Sequence, residues 1–302
     1  MKIPAFVVST AKSLLLVEAR SRLRKKQHLK QLAYLKSQQL ASPKISMLVP
    51  VYNAETSLVQ CLDSILNQTY TNIEIICVND CSTDSSLAIL ERYREKDTRV
   101  KLVNKSKNEG SSFARRDALA AATGEYVLCV DSDDWIEPTM VEDLYLRASE
   151  GYDMVYCDYY KSGKITHPPR ILEEADKFKR ISKRSFSFGN MLWNRLVKKE
   201  VFDQVVFYPE SMGEDVSIST QLYYYADKVA YLCKPLYHYN QFTNVHSVSA
   251  RSNQQNIADM EANYRHIARF LKEKFGHQIK FEKEFQKKEK MFQMIKKKSG
   301  IK

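Results

Sequence analysis

The sequence predicts an α/β protein whose central sheet is mostly parallel and flanked by helices. Between residues 45 and 130, short apolar runs rich in Val and Ile alternate with segments whose apolar residues recur at helical spacing. This alternation implies parallel strands joined by right-handed crossover helices. The 44% hydrophobic and 27% charged fractions are ordinary for a globular protein, and 302 residues provide ample chain for a hydrophobic core.

Each predicted element has its own pattern. The strand segments are continuous apolar runs, as expected for parallel strands that are buried on both faces. The intervening segments place apolar residues on one helical face, as Leu58, Cys61, Leu62 and Ile65 do. The predicted elements are strands at 45–51, 73–78, 100–103 and 126–130, and helices at 54–68, 84–95 and 112–122.

The fourth strand is followed at once by a cluster of acids. Residues 126–130 are rich in Val and aromatic residues and are preceded by Gly124, which favours a strand over a helix. Asp131, Asp133 and Asp134 are therefore predicted at the carboxyl end of a strand, where open α/β sheets bind ligands. Clustered carboxylates suit Mg²⁺ or Mn²⁺, which often shares its ligands with substrate phosphates. The alternative is a polar turn that caps the next helix.

Polar residues also follow the first two strands. Tyr52 offers a face on which a base can stack, and Asp80 can accept a hydrogen bond from a base or a ribose hydroxyl. Neither GxxxxGK[ST] nor GxGxxG is present, which argues against a P-loop and against ordinary NAD binding. Asn, Asp and Ser at a strand end are also common turn residues. Three polar sets on successive strand ends predict a nucleotide-diphosphate site.

Positive charge is concentrated at the two ends of the chain. Residues 1–44 carry a net charge of +9 and residues 251–302 a net charge of +8, which leaves −6 of the total +11 for the middle. A nucleic-acid-binding protein would place basic residues on a folded, recognisable module, so nucleic acid is not an expected partner. The six cysteines include no CxxC pair, which indicates buried thiols in a reducing cytoplasm rather than disulfides or a zinc site.

The basic ends are predicted to lie outside the α/β domain. The N-terminal end combines broken apolar stretches, too short to span a bilayer, with a basic helical pattern. It resembles an interfacial anchor for anionic lipid, and a solvated leader is the alternative. In the C-terminal end, Phe281, Phe285, Phe292 and Ile295 recur at helical spacing among lysines, which suits a membrane surface, a partner or the protein's own body. The expected organisation is an extension at 1–43, a domain at 44–250 divided into halves at 44–150 and 151–250, and an extension at 251–302.

Several motifs occur in a fixed order in the first half. They are VPVYNAE at 49–55, CLDSILNQTY at 61–70, VNDCSTD at 78–84, NEG at 108–110 with Ala114 and Arg115, and GEY at 124–126 leading into DSDD at 131–134. In this order they resemble family-2 glycosyltransferases of the GT-A fold, of the type that builds bacterial surface polysaccharides. The resemblance is dense from about residue 45 to 145, looser up to about 250, and absent in both basic ends.

The resemblance implies a role for individual residues of the first half. The residues expected around the base and ribose of the donor are Pro50, Tyr52, Glu55 and Asp80. Asp131 would face the ribose or the metal, Asp133 would bind the metal, and Arg115 would help to order the pocket. The donor would be a nucleotide sugar, most often a UDP-sugar in this family, and the cofactor would be Mn²⁺ or Mg²⁺.

The half at 151–250, the expected acceptor half, contains two further motifs. In GNMLWNRLV at 189–197, the resemblance places Trp193 as a platform for a sugar ring and Arg195 near phosphate, and a core Trp is the alternative. Glu214 and Asp215 precede a helical segment, where acids are favourable for the helix dipole. They also resemble the acidic pair of the family, in which Asp215 would be the general base and Glu214 a helper. Residues 161–184 are polar and basic and predict a mobile loop.

The sequence is therefore expected to encode an inverting, metal-assisted glycosyltransferase. Its acceptor would be a glycan or a lipid-linked molecule of cell-surface polysaccharide synthesis, and its location the cytoplasm, with peripheral contact to the inner face of the membrane as a hypothesis. The alternatives are a nucleotidyltransferase, which also uses carboxylate-bound metal, and an inactive glycan-binding or scaffold module. The acidic pair argues against the first, and the presence of every required acid argues against the second.

Overall fold

The computed structural model describes residues 42–168, 176–184, 191–240, 254–276 and 279–298. Nearly all of the predicted N-terminal extension, residues 1–41, lies outside the described residues. The strands are β1 (Ile45–Val51), β2 (Ile73–Asn79), β3 (Val100–Asn104), β4 (Tyr126–Cys129), β5 (Trp135–Ile136), β6 (Met154–Lys161), β7 (Lys164–Thr166), β8 (Arg195–Lys198) and β9 (Val229–Tyr239). The helices are α1 (Leu58–Leu66), α2 (Ser86–Lys96), α3 (Ser111–Ala121), α4 (Met140–Ala148), α5 (Lys177–Arg184), α6 (Lys199–Phe202), α7 (Glu214–Tyr225), α8 (Gln254–Phe275) and α9 (Ile279–Lys298).

The described strands form one sheet in the order β3-β2-β1-β4-β8-β6-β9-β5, and β7 pairs with β6. The first four strands of this order are parallel, with Ile45 opposite both Ile73 and Tyr126. In the second half, β8 is antiparallel to its neighbours β4 and β6, whereas β9 is parallel to β6. The predicted α/β fold is confirmed, and the sheet is mixed where the sequence pattern is weakest.

The core lies on both faces of the sheet. All seven residues of β1 are buried, because helices or other strands cover both of its sides. Met47 and Val49 belong to one buried cluster, with Leu58 of α1, and Leu48 belongs to the cluster on the opposite face, with Ala118 of α3. The alternating directions of the strand side chains thus divide one apolar run between two cores.

The segment predicted as a mobile loop is partly ordered by tertiary contacts. Its described part contains β7 and α5, so the loop prediction is wrong for these residues; residues 169–175 lie outside the described part. Arg180 of α5 is buried and donates hydrogen bonds to the carbonyls of Tyr223, Ala226 and Asp227. These carbonyls lie at the end of α7, where helix carbonyls lack intrahelical partners. Arg180 therefore stabilises the C-terminus of α7.

The C-terminal helices pack against the same body. Ile267 and Leu271 of α8 share a buried cluster with Leu222 of α7, and Phe292 of α9 packs with Tyr264 of α8. Of the alternatives left open for the C-terminal aromatic stripe, packing on the protein's own body is therefore the one that Phe292 adopts. The side chains of Phe281 and Ile295 lie outside the described ones. None of the described helices combines the length and hydrophobicity needed to cross a bilayer.

Candidate functional site

The carboxyl ends of β1 and β2 are joined by hydrogen bonds. The Asn53 N–H donates to Ser82 Oγ at 3.1 Å, and the Thr83 N–H donates to Asn53 Oδ1 at 2.8 Å. Asn53 has a φ of 48°, in the left-handed region that Asn adopts more readily than most residues. The first two polar strand ends that the sequence predicted therefore lie side by side.

Three of the predicted donor-binding residues surround these strand ends. Pro50 is buried within β1, whereas Tyr52 is 46% exposed. The Glu55 carboxylate accepts the Ser85 N–H at 3.0 Å, and the Glu55 N–H donates to Asp84 at 3.0 Å, so Glu55 holds the start of α2. Stacking on a base requires an exposed ring such as that of Tyr52. The donor contacts of these three residues stay predictions.

Asp80 is turned into the protein. Asp80 is only 2% exposed. Its two carboxylate oxygens accept hydrogen bonds from the N–H groups of Glu109 and Gly110, at 3.0 and 2.7 Å. Lys105 Nζ lies 2.9 Å from Asp80 Oδ1. The Asp80 carboxylate therefore ties β2 to the loop that precedes α3. A contact between Asp80 and a donor stays a prediction.

The acid cluster after β4 is held by Asp134. Asp134 is buried, and its carboxylate accepts hydrogen bonds from the Tyr237 hydroxyl and the Asn240 N–H, both at 2.7 Å. Burial, together with the charges of Asp133 and Asp131, raises the pKa of Asp134 well above its usual range. Asp134 therefore fixes the turn, and the partly exposed Asp131 and Asp133 remain as the acids that a ligand can reach.

Arg115 links this acid cluster to the start of α7. The guanidinium is buried; Nη2 lies 2.6 Å from Asp131 Oδ1, and Nη1 donates to Glu214 Oε1 at 2.8 Å. The Ser111 hydroxyl donates to the same Glu214 oxygen at 2.6 Å. Burial alone would lower the pKa of Arg115. The charges of Asp131, Asp215 and Glu214 outweigh this effect and raise the pKa well above its usual range. The charged guanidinium of Arg115 thus joins Asp131, in the half at 44–150, to Glu214, in the half at 151–250.

Asp215 differs from its neighbour Glu214 in its hydrogen bonding. Its Oδ1 is buried and has no hydrogen-bond partner within the described ranges, and it lies 4.0 Å from Arg115 Nη1. The side chain as a whole is 25% exposed. Burial is the main cause that raises the pKa of Asp215 to about 7; Arg115 opposes this effect, and Glu214 and Asp131 add to it. A carboxylate whose pKa lies near the working pH suits a general base.

Trp193 and Arg195 lie behind the site. Trp193 is only 2% exposed, and its ring stacks on Tyr237 and Tyr239 at centroid distances of 4.1 and 5.5 Å. Arg195 is also buried, with its guanidinium carbon 5.3 Å from the centre of the Tyr223 ring. Because both side chains are buried, the structure favours the alternative of a core Trp, and the contacts with a sugar ring and with phosphate stay predictions. Trp193 instead supports Tyr237, the residue that holds Asp134.

The residues of the acid cluster fit a cation that substrate phosphates help to bind. Within the part of the chain that the structure describes, no group of three or more His, Cys, Asp or Glu side chains could hold a metal ion. Mg²⁺, however, is commonly bound by only one or two carboxylates together with substrate phosphates. Asp133 and Asp131 are the partly exposed carboxylates of the cluster and therefore its candidate ligands, and Asp131 is also bound by Arg115.

Two residues of the site were not predicted. Ser111, which donates to Glu214, directly follows the NEG motif at the start of α3, so its position could have been noticed. Tyr237 bonds both to Asp134 and to the Asp131 N–H, at 2.7 and 3.1 Å. Its neighbours in β9 are Leu236 and His238, and they carry no signal that would single it out.

The chain is similar in sequence to known glycosyltransferases. A profile described as "Glycosyl transferase family 2" matches residues 46–212. The glycosyltransferase GlyA of Streptococcus pneumoniae is 37% identical over 216 residues, which cover 66% of this chain and 31% of GlyA. EpsH of Bacillus subtilis is 32% identical over 246 residues, which cover 78% of this chain and 71% of EpsH. The chain thus spans under a third of the length of GlyA.

A solved structure supports the same fold. S. aureus TarS in complex with UDP-GlcNAc superimposes with a TM-score of 0.61 at 26% sequence identity. The match covers 74% of this chain and 66% of the TarS chain. The similarity therefore includes most of the described sheet domain.

Proposed function

Because the chain belongs to glycosyl transferase family 2, we propose that it transfers a sugar from a nucleotide-diphosphate donor to an acceptor hydroxyl, with inversion at the anomeric carbon. The main structural support for this proposal is the state of Asp215: its buried Oδ1 lacks a hydrogen-bond partner within the described residues. It lies beside the same guanidinium that binds Asp131 at the strand end.

In the proposed reaction, Asp215 accepts the proton of the acceptor hydroxyl while the hydroxyl oxygen attacks the anomeric carbon. The bond between that carbon and the diphosphate oxygen breaks, and its electron pair leaves with the nucleoside diphosphate. Glu214 is the less suitable base because Arg115 and Ser111 already occupy its Oε1. We therefore assign proton transfer to Asp215 and orientation of Arg115 to Glu214.

The donor is proposed to be a UDP-sugar bound along the carboxyl ends of β1, β2 and β4. TarS, which shares the fold, was solved with UDP-GlcNAc, and this supports the uridine nucleotide. Tyr52 has the exposed ring that base stacking requires. A divalent cation, Mn²⁺ or Mg²⁺, would be held by Asp133 with help from Asp131, and when bound it would neutralise charge on the diphosphate leaving group.

The acceptor is proposed to be a glycan or a lipid-linked molecule of cell-surface polysaccharide synthesis. A lipid-linked acceptor would be presented at a membrane surface, where basic segments are attracted to anionic lipid. Lys283 and Lys290 of α9 are exposed, whereas Phe292 of the same helix is buried, so the contact proposed for α9 is an electrostatic one made by its lysines. Co-sedimentation with phosphatidylglycerol vesicles in low and high salt tests this: salt-independent or absent binding argues against the contact.

The catalytic proposal is tested by a donor screen. UDP-, GDP- and dTDP-sugars are incubated with the protein and Mn²⁺ or Mg²⁺, with EDTA as the metal-free control, and nucleoside diphosphate release is measured. Release from one class of donor, with product anomers assigned by NMR, is the expected result. Pyrophosphate release from nucleoside triphosphates would favour a nucleotidyltransferase. Donor binding without release, in the presence of glycan acceptors, would favour an inactive module.

A further inference from the structure

The base loop, residues 206–213, leads directly into Glu214 and Asp215 and has no regular secondary structure. Within the described residues, the backbone of 207–212 makes no hydrogen bond to other backbone groups. A segment without backbone pairing depends on side chains for its conformation. The position of Asp215 therefore depends on which side chains hold this loop.

Asn263 of α8 provides two of these hydrogen bonds. It is 1% exposed, and its Nδ2 donates to the carbonyls of Glu210 and Met212 at 3.3 and 3.0 Å. A primary amide can serve both carbonyls because it carries two donor hydrogens. The second carbonyl belongs to the residue immediately before Gly213, which has a φ of 87° and begins the turn into α7. Asn263 thus fixes the loop at Met212, one residue before the Gly213 that caps the helix of the base.

Neighbouring residues of α8 support the same loop. The Asp259 carboxylate accepts the Met212 N–H at 3.5 Å, and the His266 ring stacks on Tyr208 at a centroid distance of 3.7 Å. His266 Nε2 also lies 3.3 Å from a carboxylate oxygen of Glu210. One face of α8 therefore holds the loop from Tyr208 to Met212, whereas Gln221 of α7 holds its first residue, Val206.

This face of α8 is itself anchored on the helix that carries the base. Asn263, Ile267 and Leu271 are spaced four residues apart, so they lie on one side of the helix. Ile267 and Leu271 are buried in the cluster that contains Ile218 and Leu222 of α7. Because α8 contacts both the base loop and α7, it fixes the position of the loop relative to the first turn of α7.

We propose that Asn263 is a positioning residue for glycosyl transfer, acting through the base loop to hold Asp215 beside Arg115. The proposal rests on the proposed function, because it takes Asp215 as the base. It gives α8, which lies beyond residue 212 where the family profile ends, a part in the active site. Because Asn263 is buried behind the base loop, its effect is expected in the catalytic step and not in donor binding.

The experiment combines Asn263→Leu, which keeps the size of the side chain and removes both donors, with Asp215→Asn in a double-mutant cycle. Turnover is measured as UDP release from the UDP-sugar identified in the donor screen, and donor affinity as UDP binding by calorimetry. Misplacement of a catalytic group by about 1 Å can cost about 10²-fold in rate, so we expect Asn263→Leu to lower kcat by up to that factor with KM for the donor unchanged. Gln254→Leu, an exposed amide on the same helix, is the matched control and should behave as wild type.

The double variant identifies the route of the effect. If Asn263 acts through Asp215, adding Asn263→Leu to Asp215→Asn should cause little further loss of rate, because residues that act as one unit are not additive. Additive losses, or an unchanged kcat in folded Asn263→Leu, would overturn the proposal. Should Asn263→Leu fail to fold, Asn263→Ser, which keeps one donor, replaces it in the same cycle. Normal turnover of Asp215→Asn would instead refute the proposed base, so the two failures are distinguishable.

Discussion

Replacing Asp215 with Asn is expected to slow glycosyl transfer and, at the same time, to stabilise the folded protein. The amide keeps the shape of the carboxyl group but cannot accept the acceptor proton. Positioned base catalysis typically contributes about 10²- to 10⁴-fold, so transfer should slow by roughly that factor. UDP affinity should be retained, because Asp215 is assigned to the acceptor side of the site.

The stabilisation follows from the direction of the pKa shift. Folding raises the pKa of Asp215 from its ordinary value of 3.8 to about 7, so between these values the folded state binds more protons than the unfolded state. The contribution of Asp215 to the free energy of unfolding therefore falls as pH rises from 3.8 to about 7, and the loss is complete above that range. The full shift corresponds to a loss on the order of 4 kcal/mol in the free energy of unfolding. Asp215→Asn should recover this loss at pH 8 and a smaller part of it at pH 5.

Two measurements check this reasoning. The rate of the wild-type protein should fall about tenfold per pH unit below pH 7, and urea unfolding should show a stability gain for Asp215→Asn that grows from pH 5 to pH 8. Asp203→Asn is the matched control, because Asp203 is exposed and pairs with Lys199 on the surface. A variant with near-normal turnover would reject the base assignment. A stability difference that does not change with pH would reject the shifted pKa.

Three further changes separate catalytic from structural roles. Asp133→Ala should abolish Mn²⁺-dependent UDP binding in calorimetry, and undiminished affinity in the folded variant would remove Asp133 from the metal site. Asp80→Asn replaces a charged acceptor of the Glu109 and Gly110 N–H groups, so urea unfolding should show a loss of about 1.5–3 kcal/mol; unchanged stability would contradict its role in the loop. Trp193→Ala should cost about 3–5 kcal/mol of stability as a core truncation, whereas a raised acceptor KM at unchanged stability would favour the sugar-platform hypothesis.

The first half of the fold was predictable because its strands are covered on both faces. A strand such as β1 then becomes a continuous apolar run, and the helices between such runs show their own spacing. In the second half the pattern fails. The sequence of α5, KFKRISKR, is almost entirely polar. Its described contacts nevertheless include the buried Ile181 and Arg180, which binds carbonyls more than 40 positions away in the chain. Local periodicity carries no information about such a contact.

The site was predictable to the extent that sheet geometry brings strand ends together. This places Asp131 and Asp133 correctly at the end of β4, but it does not reveal which carboxylates are already engaged within the protein. Asp80 and Asp134 were each found buried against backbone donors, although their sequence contexts resemble those of the accessible acids. The two interpretations of Trp193, platform or core, depended on the packing of β9, which the nearby sequence does not determine.

The charge count around Arg115 explains why Asp215 remains the acid that can take a proton. Direct bonds at 2.6 and 2.8 Å commit the guanidinium to Asp131 and Glu214, and Asp215 lies farther away at 4.0 Å. One buried cation cannot compensate three carboxylates equally, and burial makes the least compensated one the most costly to ionise. Asp215 therefore holds its proton up to about pH 7, and the arrangement that lowers the stability of the ionised protein also keeps a base ready near neutral pH.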